Sequence, residues 1–113
     1  MRKFIAGIAI AAATCLSSPA NAAESMLTSW YGSYFHGRTT ANGEIYNMYG
    51  YTAASPHLSF GTKLLVCYNG CVDVRINDRG PYVGGRQLDL SYGAAAQIGL
   101  LDVGVAYTEV TYL

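Results

Sequence analysis

Asp78 in Asn77-Asp78-Arg79-Gly80-Pro81 and Asp89 in Leu88-Asp89-Leu90-Ser91 stand eleven residues apart, each after strand-forming residues. Only 12% of this chain is charged, so two carboxylates expected where strands end are candidates for proton transfer. Two carboxyl groups brought close together cannot both ionise freely. One keeps its proton near neutral pH and can act as a general acid. Glu44, in the turn-like Asn42-Gly43-Glu44, is a third carboxylate, able to close over such a site. Each also has a plainer reading. Asp78 can accept backbone N–H groups in a tight turn. Asp89 can pair with Arg79 or Arg86, or cap a helix near Ser91. Glu44 alone reads as a solvated turn residue.

The elements that must position these groups are mostly strands. Residues 29–34, 50–54, 63–67, 71–76, 87–90 and 103–113 are rich in β-branched and aromatic side chains, the last as one strand or a pair. One helix is predicted: Ser91 caps it, Ala94-Ala95-Ala96-Gln97-Ile98 propagates it and Gly99 ends it. Turn signals fall at Ala41-Asn42-Gly43, Ser55-Pro56, Asn69-Gly70 and Gly84-Gly85. The pattern fits a small closed barrel with one short helix.

The N-terminus reads as an export signal. Arg2 and Lys3 precede an apolar run to about Leu16, and Ala20-Asn21-Ala22 is the small-x-small pattern of a cleavage site. The run is shorter than the roughly 20 residues a spanning helix needs, so no transmembrane segment is expected. Cleavage after residue 22 leaves a single domain, 23–113, with five basic and seven acidic side chains, a formal charge of −2. That balance argues against nucleic acid and against an anionic membrane as partner. Cys15 leaves with the signal; a lipid anchor there is disfavoured because Ala12-Ala13-Thr14 lacks the expected Leu and small residue. Cys67 and Cys71 remain, flanking Tyr68-Asn69-Gly70 between two strands. A three-residue hairpin loop sets them opposite each other, and an oxidising compartment makes a disulfide the expected state. Zinc shared by these cysteines with His36 and His57 is the alternative, but the spacing fits no familiar zinc pattern.

Trp30-Tyr31-Gly32, Phe35-His36-Gly37-Arg38, Thr40-Ala41-Asn42-Gly43-Glu44, Thr52-Ala53-Ala54, Phe60-Gly61-Thr62 and both aspartate motifs occur in an order that resembles the rare lipoprotein A (RlpA-like) domain. The resemblance runs from about residue 29 to the C-terminus. It implies a mainly β fold, a six-stranded double-psi β-barrel related to the expansin and barwin barrels, with one short α-helix. It also implies a lytic transglycosylase that cuts MurNAc–GlcNAc bonds of peptidoglycan glycan strands, often denuded ones, outside the cytoplasm. Such a reaction takes its nucleophile from the sugar's own C6 hydroxyl, so one carboxyl serving first as acid and then as base is enough. No cofactor or metal is called for, and a monomer is expected.

On this resemblance Asp78 is the first choice for the general acid/base, Asp89 is nearly as strong, and Glu44 is the third catalytic candidate. Trp30, Tyr31, Tyr46 and Tyr82 are aromatic groups for stacking on sugar faces. His36, Asn42, Ser55, His57, Arg79 and Arg86 complete the expected substrate contacts. Histidine marks a departure: many relatives carry Thr-Ala-Ala-His, whereas Ser55 follows Thr52-Ala53-Ala54 here and His57 comes two positions late. Serine offers a hydroxyl but no imidazole. A non-catalytic polysaccharide-binding or wall-loosening module, like an expansin barrel, is therefore the competing expectation.

Overall fold

The computed structural model describes residues 22–113; all of the expected export signal but its last residue, Cys15 included, lies outside them. Six strands, β1 (Glu24–Tyr31), β2 (Thr52–Ala54), β3 (Lys63–Cys67), β4 (Cys71–Asp78), β5 (Leu88–Ser91) and β6 (Ala106–Tyr112), close in the order β1-β5-β2-β4-β3-β6. The β1–β5 and β2–β4 pairs are parallel and the remaining neighbours antiparallel. The expected closed barrel and its single α-helix, α1 (Tyr92–Gln97), are both present.

Alternation along the strands fills the barrel. Val72, Val74 and Ile76 of β4, Leu64 and Val66 of β3, Leu88 and Leu90 of β5, and Val110 of β6 point inward and are buried. The helix adds Ala94 and Ala95 to this core, followed by Ile98 and Leu100. Ser91 caps α1 by accepting the Ala94 N–H at 3.3 Å, and Gly99 follows in the left-handed region at φ +75°. Gly93, in the first turn, has no room for a side chain: an added Cβ would sit 2.6 Å from the Tyr49 carbonyl oxygen. The residue 48–50 segment therefore packs directly on α1, with Gly93 N–H donating to Met48 O at 2.7 Å.

The β3–β4 hairpin is as expected, its cysteines joined at 2.02 Å. Other boundaries move. The first strand starts at Glu24 and ends at Tyr31, and residues 33–35 form a 3-10 turn instead of more strand. Of the expected 103–113 strand only Ala106–Tyr112 is extended, because residues 101–103 form a turn and Gly104 takes φ +81°.

Candidate active site

Three neighbouring strands bring Asp78 and Asp89 to one cleft. Ala54, the last residue of β2, is in register with Asp78 on one side and Asp89 on the other. Residues in register on adjacent strands share a face, so the two carboxylates flank a single methyl group, with backbones about 10 Å apart across two strand spacings. The cleft, about 110 Å³, is lined by Tyr31, Phe35, Ala54, Asp78, Arg79 and Asp89.

A one-residue irregularity aims Asp78. Thr52 pairs with Arg75 and Ala53 with Ile76, but Ala54 pairs with Asp78, so Asn77 is an extra residue in β4. Strict alternation would have sent Asp78 to the same side as Val74 and Ile76, into the core. The bulge re-aims it to the cleft side. Burial follows this shift, alternating from Val72 to Ile76 and then breaking at buried Asn77 and half-buried Asp78.

The two aspartates differ in environment. Asp89, expected at a strand end, is instead the second residue of β5, with buried Leu88 and Leu90 on either side of it in sequence. Burial raises its carboxyl above the ordinary 3.8; a hydroxyl bond from Ser29 at 2.9 Å and the charge of Arg86 oppose this, and the charge of Asp78 adds to it. Asp78 does close the strand, and its Oδ1 accepts the N–H groups of Ala41 and Arg79, both at 2.9 Å. Its plainer reading as a backbone acceptor thus holds together with its place in the cleft. Arg79 does not pair with Asp89; its guanidinium donates to the Leu58 and Ser55 carbonyls and lies 4.0 Å from the Phe60 ring centre. Tyr31 stacks on Tyr46 and meets Phe35 edge-on. Its hydroxyl is buried with no hydrogen-bond partner among the described residues. Burial, then the charge of Asp78, keeps that phenol protonated well above its ordinary range.

Glu44 does not line the cleft. It forms a bidentate pair with Arg75 at 2.7 and 2.9 Å and also accepts from Asn77 and Asn42. Its bond to Arg75, then those to Asn42 and Asn77, hold its carboxyl down at about 2, so it carries no proton near neutral pH. Several expected sugar contacts are engaged elsewhere. Ser55 is 2% exposed, and its hydroxyl oxygen accepts the His57 and Leu58 N–H groups in a turn. Trp30 alternates with Tyr31 and so faces inward beside Leu90 to pack on the core. Tyr46 is 2% exposed and spans from Tyr31 O to Tyr92 N. The Asn42 side chain bonds within its own loop, to Thr40 and Glu44. His36 accepts the Met48 N–H through Nδ1. Tyr82 is 79% exposed and does not line the cleft. His57 and Arg86 line a separate, larger cavity of about 240 Å³ with Glu24 and Tyr112; neither aspartate belongs to it, so the carboxylate chemistry lies with the smaller cleft.

Ser29, Ala54, Phe35, Arg75 and Asn77 are neighbours of the candidate site that sequence reasoning missed. Ser29 was within reach, since alternation puts it on the Tyr31 face. Arg75 carries no signal without the strand register, and Asn77 reads only as part of the Asp78 motif.

Known proteins resemble this chain in sequence and in fold. Residues 23–112 match the family model described as lytic transglycolase. A probable endolytic peptidoglycan transglycosylase RlpA of Synechocystis is 56% identical over 82 residues, covering 70% of this chain and 26% of that protein. The endolytic peptidoglycan transglycosylase RlpA of Vibrio cholerae is 45% identical over 98 residues, covering 84% of this chain and 37% of that protein. The chain thus spans well under half the length of these relatives. A Streptomyces papain inhibitor has a similar fold, with TM-score 0.66 and 22% identity over 80% of this chain and 94% of that one. With its barrel, its motifs and this match across nearly all described residues, the chain belongs to the lytic transglycolase family of double-psi β-barrels.

Proposed function

We propose that this chain cleaves peptidoglycan glycan strands as a lytic transglycosylase, with Asp89 as general acid and then base. The observation that carries the reading is one cleft shared by Asp89, whose carboxyl burial raises above its ordinary value, and an Asp78 fixed by backbone donors. Asp89 gives its proton to the bridging oxygen as the MurNAc C1–O bond breaks. The same carboxylate then takes the proton of the C6 hydroxyl as O6 bonds to C1, leaving a 1,6-anhydro end and a reprotonated Asp89. Asp78, the first choice from sequence, becomes the partner whose charge, which also acts on Asp89, stabilises positive charge developing at C1. Tyr31 and Phe35 offer ring surface to the sugar, and Arg79 forms a cationic wall. The names of the relatives support the substrate class. The N-terminal pattern supports export, cleavage after residue 22, and action in the periplasm or cell wall.

One observation favours a second reading. Ser55 holds the position of the family histidine, and among the described residues no imidazole lines the cleft. A wall-binding module without turnover would fit that. Mass spectrometry of denuded glycan strands incubated with the protein separates the two. New anhydro ends that disappear in Asp89→Asn and Asp78→Asn support the enzyme, binding without new ends supports the module, and new reducing ends indicate hydrolysis.

A further inference from the structure

We infer that Glu44 is a positioning residue: held by Arg75, it clamps the residue 40–44 segment onto the bulge at Asn77 and so fixes the carboxylate of Asp78 in the cleft. The inference rests on the proposed activity for its kinetic consequence but not for its structural one.

Four donor groups from three residues converge on the two Glu44 oxygens. Arg75 supplies both terminal nitrogens, Asn77 Nδ2 comes to 3.0 Å and Asn42 Nδ2 to 2.8 Å. A carboxylate so engaged has little capacity left for a saccharide. Its contacts instead tie two backbone segments together. On the loop side, Gly43 turns at φ +97°, Thr40 N–H donates to Glu44 O at 2.7 Å, and Thr40 Oγ1 meets Asn42 Oδ1 at 2.6 Å. On the strand side, Asn77 is the extra residue of β4, and its carbonyl accepts the Asn42 N–H at 3.2 Å. Ala41, between Thr40 and Asn42, then donates to Asp78 Oδ1. The path from Glu44 to the cleft is therefore continuous: the Arg75 pair fixes the loop, the loop holds the bulge, and the bulge aims Asp78. Asn77 Oδ1 is buried without a partner among the described residues, so the amide relies on its single Nδ2 bond to Glu44.

The test reverses the pair. Glu44→Ala and Arg75→Ala are each expected to slow anhydro-end formation by about 10²-fold, the size of effect expected from a small misplacement of a reacting group, with KM little changed. The double variant Glu44→Arg/Arg75→Glu restores the pair with its charges exchanged, and the open Asn77 Oδ1 can accept from the new guanidinium. It should recover at least about tenfold over either alanine variant. Glu44→Gln should keep both limbs of the wild-type pH–rate profile, since Glu44 is ionised down to about 2 and titrates on neither. In an Asp78→Asn background, Glu44→Ala should slow the residual reaction little further. Amide hydrogen exchange at Ala41 and Asn42, which does not depend on turnover, should quicken in both alanine variants and slow again in the exchanged pair. Circular dichroism checks that every variant is folded.

A folded exchanged pair no faster than Glu44→Ala, or Ala41 exchange unaffected by Glu44→Ala, would overturn the clamp. A pH limb lost in Glu44→Gln would make Glu44 a titrating catalytic group and overturn it too. If the wild-type protein forms no anhydro ends, the proposed activity fails, and hydrogen exchange alone decides the clamp.

Discussion

Strand β4 has two unlike ends. At its start, Cys71 is bonded to Cys67 across a three-residue turn, and Val72 and Val74 enter the core in plain alternation beside β3. At its finish, Asn77 breaks that alternation and turns a carboxylate into a cleft shared with Asp89 and Tyr31; the Asn77 amide oxygen and the Tyr31 hydroxyl are buried with no partner among the described residues. The first end is built from contacts within a few residues and is satisfied. The second needs residues from β1, the 40–44 loop, β2 and β5 and is not. The contrast teaches where this barrel gains stability and where it gives some up for a cleft that can do chemistry.

The largest effects should separate the two ends cleanly. Asp89→Asn is expected to lower anhydro-end formation by about 10²–10⁴-fold, the range for loss of a general acid, and Asp78→Asn by a comparable factor. Stability should move the other way for Asp89→Asn. Because burial raises the folded carboxyl above its ordinary 3.8, the folded state binds that proton more tightly than the unfolded chain. Its ionisation therefore costs stability above the raised value, and that cost vanishes as pH falls below 3.8. Thermal melts should show the variant more stable than wild type at pH 7, with the gap closing on acidification. A variant less stable at pH 7 would place Asp89 among the satisfied groups.

On the hairpin side, stability should fall while chemistry survives. Leu64 is fully buried opposite Val74, and Leu64→Ala should cost about 2–5 kcal/mol in denaturant unfolding. Next in size is the joint change Cys67→Ser/Cys71→Ser, which opens a small loop worth about 2 kcal/mol or less in the chain-entropy model. Both variants should keep the wild-type rate of anhydro-end formation at temperatures where they remain folded. A rate loss beyond the unfolded fraction would show that the two ends of β4 are mechanically coupled.

The same division explains what could be read in advance. The hairpin, its disulfide, the Ser91 cap and the Gly99 stop are local, and Lys63–Cys67 and Cys71–Asp78 advertise them with alternation around Asn69-Gly70. The double-psi barrel and the two aspartates followed from ordered motifs. Asp78 was expected where β4 stops, and it is there. What could not be read depends on register. A bulge at Asn77 leaves no mark in composition, yet it decides which way Asp78 points. Glu44 looked free because Arg75 lies 31 residues away and only the fold brings it near. Trp30 and Tyr31 share a motif, but neighbours on a strand face opposite ways. Ser55 stands where relatives carry an imidazole, and its hydroxyl oxygen is occupied by two turn amides.

The smallest predicted effect is the most specific to the comparison. Tyr31→Phe removes one oxygen and keeps the ring that stacks on Tyr46 at 4.6 Å and meets Phe35 at 5.7 Å. Had that hydroxyl been satisfied, its loss would destabilise the protein by about 1 kcal/mol. Buried and unpartnered, it carries a desolvation penalty instead, so the variant should gain on the order of 1 kcal/mol, roughly 4–8 °C in melting temperature for a domain of this size. Activity should drop about tenfold in kcat with KM nearly constant, the pattern of an interaction made only in the transition state. The reason lies in the order of charge development. Among the described residues the phenol has no acceptor in the resting cleft, but in the proposed reaction Asp89 gives up its proton and a second carboxylate charge stands beside that of Asp78. A neutral donor in the same cleft can then turn to meet it. A lower melting temperature in Tyr31→Phe would mean that the hydroxyl is bonded in the folded protein. A gain in stability with unchanged turnover would leave it a packing defect with no part in the reaction.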